Sequence, residues 1–268
     1  MGDGDVLEGR DAKKLFIDDE SKEPSMQLLE GEGITKRFGG LIALKDVDFY
    51  VNEGEIAGLI GPNGAGKTTL FNLISGALRS TSGMIKFEGK VISGFRPHKI
   101  CKLGIGRTFQ IPKPFPNMTV FENVLAAASF GCHKDQRFSH VEQELNQILK
   151  KFGLAEKSEI LASGLPAFEL RLLEIVRALS TKPKLLLLDE AMAGLNPTEL
   201  TQMLKVVREL RDDEGTTIFM IEHNMRVMME AADRIMALDH GVKIAEGSPE
   251  DVAENANVIE AYLGEADA

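Results

Sequence analysis

The sequence has little cysteine and no long hydrophobic run. Its two cysteines, Cys101 and Cys132, are not spaced as metal ligands, which indicates a reducing compartment. No apolar segment approaches the ~20 residues that a transmembrane helix needs. The first residues are acidic and lack the apolar stretch of a signal peptide. We therefore expect a protein that is made and stays in the cytoplasm.

Positive charge is also scarce, since 31 Lys and Arg residues stand against 41 Asp and Glu, a net charge of −10. This balance argues against broad attraction to nucleic acid or anionic lipid, although it leaves a local basic patch open. We expect no nucleic acid partner. At 268 residues and 43% hydrophobic, the chain can bury a full core, as one large α/β domain or as one domain with subdomains.

The chain begins with a polar segment, residues 1–25, in which acidic residues mix with lysines and only Leu15-Phe16-Ile17 is apolar. Such a composition cannot bury enough apolar surface to offset the entropy lost on ordering. We expect a mobile acidic N-terminal tail. The alternative is that the apolar triplet docks on a partner.

One stretch organises the rest of the chain. Gly61-Pro62-Asn63-Gly64-Ala65-Gly66-Lys67-Thr68 fits the phosphate-binding pattern G-x-x-x-x-G-K-[ST]. It follows an apolar run that reads as a buried strand and precedes apolar residues at helical spacing, which is the context that the pattern requires. Glycines let backbone N–H groups surround phosphates, and the helix N-terminus adds its positive pole. The pattern predicts a nucleoside triphosphate site.

Strands and helices alternate around this loop, which predicts a mostly parallel α/β sheet. The prolines of residues 111–116 exclude regular structure there. The predicted strands are 27–35, 47–51, 55–60, 84–87, 91–92, 104–110, 184–190, 216–222, 234–238 and 242–246. The predicted helices are 67–75, 97–103, 119–129, 140–152, 166–180, 197–211 and 224–231, with a closing helical stretch over 249–263.

Two acids follow four consecutive leucines, at Asp189 and Glu190. The leucines predict a central parallel strand covered on both faces. A carboxylate at its carboxyl end faces the same crevice as the phosphate loop, where Asp189 can hold magnesium through water. Glu190, one residue further, can orient and deprotonate an attacking water. In isolation, paired acids after a strand also fit a solvated loop; the upstream phosphate loop favours the functional interpretation.

Over about residues 28–264 the chain resembles the nucleotide-binding subunits of ATP-binding-cassette (ABC) transporters. Gly104-Ile-Gly-Arg-Thr-Phe-Gln110 lies in the place of the family's Q-loop, Ala193-Gly-Leu-Asn196 in that of the D-loop, and Ile221-Glu-His223 in that of the switch histidine. Phe115-Pro-Asn-Met-Thr-Val-Phe-Glu-Asn123 and Ile259-Glu-Ala-Tyr-Leu-Gly-Glu265 resemble a narrower group, the ATPase subunits of branched-chain (hydrophobic) amino-acid importers.

The resemblance implies a P-loop NTPase with a RecA-like core, an antiparallel β subdomain and a helical subdomain. It places the ABC ATPase domain at 26–264, with core and β subdomain at 26–110 and 181–248, helical subdomain at 111–180 and a C-terminal helical stretch at 249–264. It also implies an ATPase that binds ATP and Mg²⁺.

The resemblance assigns roles residue by residue. The nucleotide-binding set is Phe38 (stacking on adenine), Gly61, Pro62, Asn63, Gly64, Ala65, Gly66, Lys67, Thr68 and Thr69. The magnesium set is Thr68, Gln110 and Asp189, and the catalytic set is Glu190, His223, Lys67 and Gln110. Without the resemblance, Phe38 reads as a packed strand-end residue, and Gln110 and His223 as ordinary loop and cap residues.

One departure from the family concerns its signature loop, which normally reads Leu-Ser-Gly-Gly-Gln and reaches across a head-to-tail dimer to the partner's γ-phosphate. This chain has Leu165-Pro166-Ala167-Phe168-Glu169. Pro166 replaces a hydroxyl and removes a backbone N–H, and Phe168 replaces a glycine where backbone approaches phosphate. We therefore expect a second ABC ATPase subunit with an intact signature as partner, a heterodimer being favoured over a homodimer.

The resemblance further implies integral-membrane permease subunits as partners and a peripheral location on the cytoplasmic side of the inner membrane. The Pro-rich, partly apolar loop over residues 110–121 is our candidate surface for a permease helix. The alternative is a plain surface loop. Rival functions are a nucleotide-regulated scaffold, which the altered signature favours and Glu190 and His223 oppose, and a non-transport ABC ATPase. The transported solute and the direction of transport depend on resemblance alone.

Overall fold

The computed structural model of the protein describes residues 26–131 and 138–263. Two short 3-10 turns, Ala155–Lys157 and Ala162–Gly164, supplement the elements below. The strands are β1 (Gln27–Phe38), β2 (Leu41–Asn52), β3 (Ile56–Ile60), β4 (Ser82–Phe87), β5 (Lys90–Val91), β6 (Ile105–Arg107), β7 (Leu185–Asp189), β8 (Thr217–Ile221), β9 (Arg234–Asp239) and β10 (Val242–Gly247). The helices are α1 (Lys67–Ile74), α2 (Pro97–Leu103), α3 (Val120–Phe130), α4 (Phe138–Lys151), α5 (Ala167–Leu179), α6 (Pro197–Asp212), α7 (Met225–Ala231), α8 (Pro249–Ala253) and α9 (Ala256–Leu263).

The main sheet has the strand order β10-β9-β3-β8-β7-β6. Its strands run parallel except β10, which pairs antiparallel with β9 at one edge. Every residue of β3, β7 and β8 is buried, as expected of strands covered on both faces. The carboxyl ends of these three strands lead into the phosphate loop, the paired acids and His223.

The second sheet is antiparallel, in the order β2-β1-β4-β5. It packs over α1 through aromatic side chains: the Phe71 ring of α1 lies 5.0 Å from the Phe219 ring of β8, which lies 6.2 Å from the Phe49 ring of β2. Helix α1 is thus held between the two sheets, and the loop before it has little freedom to move.

The helices α3, α4 and α5 share a core with the other face of the main sheet, in which Val124, Leu149 and Leu173 join Leu186 and Leu188. Helix α3 begins with a capping box in which Thr119 and Glu122 exchange side chain-to-backbone hydrogen bonds. Helix α6 begins with the same motif at Asn196 and Glu199.

The α/β fold with an antiparallel sheet and a set of helices is confirmed, and the Pro-rich residues 111–116 are irregular as predicted. Several predictions of elements are wrong in extent. The strands predicted over 27–35 and 47–51 are longer, Gln27–Phe38 and Leu41–Asn52, because they pair with each other up to the turn that joins them. The strand predicted over 104–110 covers only Ile105–Arg107, because after the Thr108 N–H bonds Leu187 O the chain leaves the sheet edge. The closing helical stretch is two helices, because Asn255 caps the second one by accepting a bond from the Asn257 N–H.

Several expectations lie outside the described residues: the N-terminal tail, Cys132 and the end of the C-terminal motif beyond residue 263. The limits of the subdomains at 110/111 and 180/181 stay a prediction. Among the described residues, no helix combines the length and the apolar composition needed to cross a membrane.

Candidate nucleotide-binding site

The phosphate loop connects β3 to α1, and two of its glycines are required by close backbone approach. Gly61 has φ 145°, and a Cβ there would lie 2.0 Å from Leu238 O on β9. Gly66, the N-cap of α1, has φ 105°, and a Cβ there would lie 2.6 Å from Ala43 O on β2. Any larger residue would both strain the backbone and push the loop away from its neighbouring strands.

Lys67 is the first residue of α1 and is buried. Its ammonium donates hydrogen bonds to Gly61 O at 2.6 Å and Pro62 O at 2.8 Å, so the side chain folds back along the loop. The positive pole of α1 and the Lys67 charge therefore act on the same point, which suits an anion such as a phosphate group.

An open cleft of about 340 Å³ lies over the loop. Most of the predicted site residues line this cleft, although they are far apart in the sequence. Its lining consists of Phe38, Leu41, Ala43, Asn63, Gly64, Ala65, Gly66, Lys67, Thr68, Thr69, Gln110, Glu190 and His223. Phe38 is 45% exposed at the rim, with the Lys36 ammonium 4.8 Å from its ring centroid, so it offers an aromatic surface at the end of the cleft.

Three of the predicted catalytic residues meet at the end of the cleft. The Glu190 carboxylate accepts a hydrogen bond from Gln110 Nε2 at 2.7 Å on one oxygen and lies 2.5 Å from His223 Nε2 on the other. Each residue follows a different strand of the main sheet, β6, β7 and β8. The carboxylate is mostly buried and held in one orientation, as a general base requires.

The backbone of Glu190 is in the left-handed region, with φ 51°, which costs energy in a non-glycine residue. Neighbouring groups hold it there: its N–H donates to Ile221 O at 3.0 Å, and its carbonyl accepts from the Arg171 guanidinium at 3.1 Å. Arg171 belongs to α5, so the helix that follows the signature position contacts the turn that carries the candidate base.

Asp189 lies beneath the cleft rather than in its lining. One of its oxygens accepts from the Arg107 guanidinium at 2.7 Å, while the other, Oδ1, is buried without a hydrogen-bond partner. Arg107 also donates to Asn72 Oδ1 on α1 and to Oγ of Ser75, the C-cap of α1, at 2.8 Å each. An unsatisfied buried carboxylate oxygen fits a hydrated cation nearby.

Thr68 and Gln110 also line the cleft, and each carries a side-chain oxygen, the ligand type that Mg²⁺ prefers. No cluster of three or more acidic, His or Cys side chains that could hold a metal occurs in the described part of the chain. The arrangement thus fits an ion held by few protein groups together with phosphates. The roles of the individual residues remain predictions.

The sequence patterns did not identify Arg107, Arg171 or Glu222. Glu222 is buried and its Oε1 accepts the Met192 N–H at 2.8 Å, so it joins the turn after Glu190 to the end of β8. Burial raises the pKa of the Glu222 carboxyl from 4.5 to about 7, and the nearby Glu190 charge acts in the same direction, against Arg171. The only signal for Glu222 was its place directly before the predicted site residue His223.

A glycine loop, a buried lysine at a helix N-terminus and an oriented acid define a P-loop nucleotide-binding protein. Known proteins agree. The ABC transporter family matches residues 44–193, and a second family, described as branched-chain amino acid ATP-binding cassette transporter, matches residues 242–268. The chain therefore belongs to the ABC transporter family, as an ATP-hydrolysing cassette, which confirms the resemblance.

Two relatives and one solved structure illustrate the match. The high-affinity branched-chain amino acid transport ATP-binding protein BraF of Pseudomonas aeruginosa is 39% identical, and LivG of Escherichia coli K12, which carries the same description, is 40% identical. Each alignment covers 90% of this chain and 100% of the relative. The ADP conformation of MJ1267, an ATP-binding cassette of an ABC transporter, superposes with a TM-score of 0.82 at 33% identity, covering 90% of this chain and 100% of that one.

The raised pKa of Glu222 generates a test of stability against pH. Because the pKa is higher in the folded than in the unfolded chain, the folded protein favours the neutral acid. This contribution is present below pH ~4.5 and is lost as the pH rises through about 7. We expect Glu222→Gln to gain free energy of unfolding relative to the unsubstituted protein between pH 5 and pH 8, by up to ~1.4 kcal/mol per unit of pKa shift.

Chemical denaturation at both pH values measures this difference. The matched control is Glu156→Gln, an exposed glutamate outside the site, which corrects for the general effect of removing one carboxylate charge. A Glu222→Gln difference that stays constant between pH 5 and pH 8 would contradict the prediction.

Proposed function

We propose that this chain is the ATP-binding and ATP-hydrolysing subunit of an importer for branched-chain or other hydrophobic amino acids. The observation that carries the proposal is the meeting of Lys67, Gln110, Glu190 and His223 in one cleft. The full-length likeness to BraF and LivG and the C-terminal match support the substrate class. In this proposal the chain is a peripheral subunit at the cytoplasmic face of the inner membrane, bound to permease subunits.

In this proposal each group of the cleft has one task. Phe38 stacks on adenine, and the backbone of residues 61–66 with Thr69 and Lys67 surrounds the phosphates. Thr68, Gln110 and Asp189 would hold Mg²⁺, with Arg107 fixing the orientation of Asp189. The ion, when bound, neutralises charge on the phosphate oxygens.

Hydrolysis then needs an oriented water rather than covalent chemistry by the protein. Glu190 accepts the proton of the water as it attacks the γ-phosphate. Gln110 and His223 each contact one oxygen of the Glu190 carboxylate and so hold it in one orientation toward the attacking water. The left-handed backbone of Glu190 aims the side chain into the cleft, and Arg171 maintains that backbone.

The assignment of Glu190 as base predicts a separation of binding from turnover. We expect Glu190→Gln to bind Mg-ATP with unchanged affinity while hydrolysis falls by ~10²–10⁴-fold, the contribution of a general base. Lys67→Ala is the reference variant and should lose binding as well. Equilibrium binding and phosphate release measure the two effects; undiminished phosphate release by Glu190→Gln would exclude Glu190 as base.

The start of α5 supports a mixed dimer. Pro166 is the N-cap and supplies no side-chain hydrogen bond, and Glu169 in the first turn brings a negative charge that pairs with Lys157. A carboxylate at a helix N-terminus occupies the position that favours anions and repels a second one. This end of α5 is therefore poorly suited to the γ-phosphate of a nucleotide held by a partner subunit.

We expect the chain by itself to hydrolyse ATP ~10²–10³-fold more slowly than a mixed dimer with a second ATPase subunit whose signature loop is intact, the usual effect of losing one charge-stabilising donor. The triple variant Pro166→Ser, Phe168→Gly, Glu169→Gln should raise the rate of the chain alone. Steady-state phosphate release on purified chain, alone and mixed, tests this. Full transporter rates from the unaltered homodimer would contradict the mixed dimer.

A partly apolar surface lies beside the cleft, which we call the Q-loop face: Phe109, Ile111, Phe115 and Met118, all exposed. Its backbone is held in place, since Asn123 bonds both polar groups of Phe115 and the Arg177 guanidinium lies 5.2 Å from the Phe115 ring. A rigid apolar surface next to Gln110 suits an amphipathic helix of a permease subunit, which would connect transport to the cleft.

Ile111 is 71% exposed at the centre of the Q-loop face. We expect Ile111→Glu to reduce recovery of the chain with its permease subunits while Mg-ATP binding stays unchanged, because the charge would be buried in the contact. The control is Val91→Glu on β5, an exposed apolar residue of the second sheet. Co-purification measures assembly; normal recovery of the Ile111→Glu complex would remove the Q-loop face as the docking site.

A further inference from the structure

The C-terminal helix touches the phosphate loop. The Gly61 N–H donates a hydrogen bond to the Tyr262 hydroxyl oxygen at 2.9 Å, across 201 positions of sequence. Gly61 is the first residue of the loop and is buried, so its N–H needs a partner within the protein. Tyr262 supplies that partner from α9, the last helix that the structure describes.

Packing places the tyrosine there. Val258, one turn earlier on the same face of α9, is 2% exposed and belongs to the core under the main sheet. Tyr262 packs against the same core, whereas Ile259 and Leu263 point to the exposed side. The buried face of α9 therefore carries one polar atom, the Tyr262 hydroxyl, to the start of the loop.

Gly61 is also bound through its carbonyl, which accepts from the Lys67 ammonium at 2.6 Å. Both polar groups of one residue are thus engaged, the N–H by Tyr262 and the carbonyl by the phosphate-binding lysine. The close approach of Gly61 to Leu238 O leaves this residue no room to shift toward β9. A change at the Tyr262 hydroxyl can therefore affect the position of Lys67 through a single residue, Gly61.

We propose that Tyr262 is a positioning residue for the nucleotide, through which the C-terminal segment sets how tightly the phosphate loop holds ATP. The proposal rests on the assignment of residues 61–68 as the nucleotide site. Without the hydroxyl, the Gly61 N–H would be buried without a partner, and the loop would have to move to satisfy it. That movement would displace the Gly61 carbonyl and with it Lys67.

The test is Tyr262→Phe in the full chain, which removes one oxygen atom and keeps the ring packed. We expect the Kd for Mg-ATP to rise about two- to tenfold, the range expected for the loss of one hydrogen bond. In the assembled transporter the KM for ATP should rise by the same factor with a smaller change in kcat, because Glu190, Gln110 and His223 are untouched and only Lys67 of the catalytic set shifts.

The chain contains a matched control, since its only other tyrosine is Tyr50. Tyr50 lies on β2 with its ring 3.8 Å from the Arg234 guanidinium and is not part of the cleft lining. We expect Tyr50→Phe to bind Mg-ATP as the unsubstituted chain does. A Tyr262→Phe variant with unaltered Kd and KM would overturn the proposal.

The absence of tryptophan allows a direct optical reading. In the Tyr50→Phe variant, Tyr262 is the only tyrosine, so the tyrosine fluorescence comes from it alone. This fluorescence depends on the hydrogen bond of its hydroxyl. We expect Mg-ATP to change this emission with the same Kd as binding, with adenosine at equal concentration correcting for absorbed light. If this tyrosine emission does not change when Mg-ATP binds, the proposal is overturned. This result does not depend on whether a substitution changes the stability of the protein.

Failure of the site assignment itself gives a different result. If Lys67→Ala bound Mg-ATP as tightly as the unsubstituted chain, residues 61–68 would not be the nucleotide site and the role of Tyr262 would fall with it. Loss of binding in Lys67→Ala together with unchanged binding in Tyr262→Phe would reject only the role of Tyr262.

Discussion

The turn in which β3 becomes α1 constrains the rest of the structure. Most of it is buried, and Gly61 and Gly66 approach the backbones of β9 and β2 so closely that no side chain fits. Helix α1 therefore starts at one point, with its positive pole and Lys67 directed at the same place. The other strands of the main sheet bring their carboxyl ends to that point, as parallel strands do.

Glu190 shows how tertiary contacts maintain a costly conformation. Its left-handed backbone is held by Ile221 and Arg171, and its side chain by Gln110 and His223. These partners come from β8, α5 and the segments after β6 and β8. Rearrangement of any one of them would release the strain or reorient the carboxylate. Since Arg171 follows the signature position, a movement of α5 would reach the candidate base through one hydrogen bond.

The chain combines a complete phosphate-loop side with an altered signature side. The cleft is lined by most of the groups predicted for its own nucleotide, with Asp189 beneath it, whereas the start of α5 offers a proline cap and a glutamate. In the proposed head-to-tail pair, the phosphate loop and the start of α5, about 100 residues apart in sequence, would serve different nucleotides. The difference between these two regions affects ATP hydrolysis only when subunits assemble. For this reason the proposed function involves a second subunit.

The sequence by itself determined the α/β class, the phosphate loop and the buried Leu185–Asp189 strand, because each depends on local patterns of glycine, apolar residues and charge. The predictions for Phe38, Gln110 and His223 depended on the family resemblance. The sequence overestimated the strand after Gly104, since the loss of pairing at a sheet edge leaves no local signal. Only the tertiary structure decided the Arg107–Asp189 pair, the Arg171 contact with Glu190, the buried Glu222 and the Tyr262 bond to Gly61. Those contacts join residues 19 to 201 positions apart, and chain folding, not residue order, makes them neighbours.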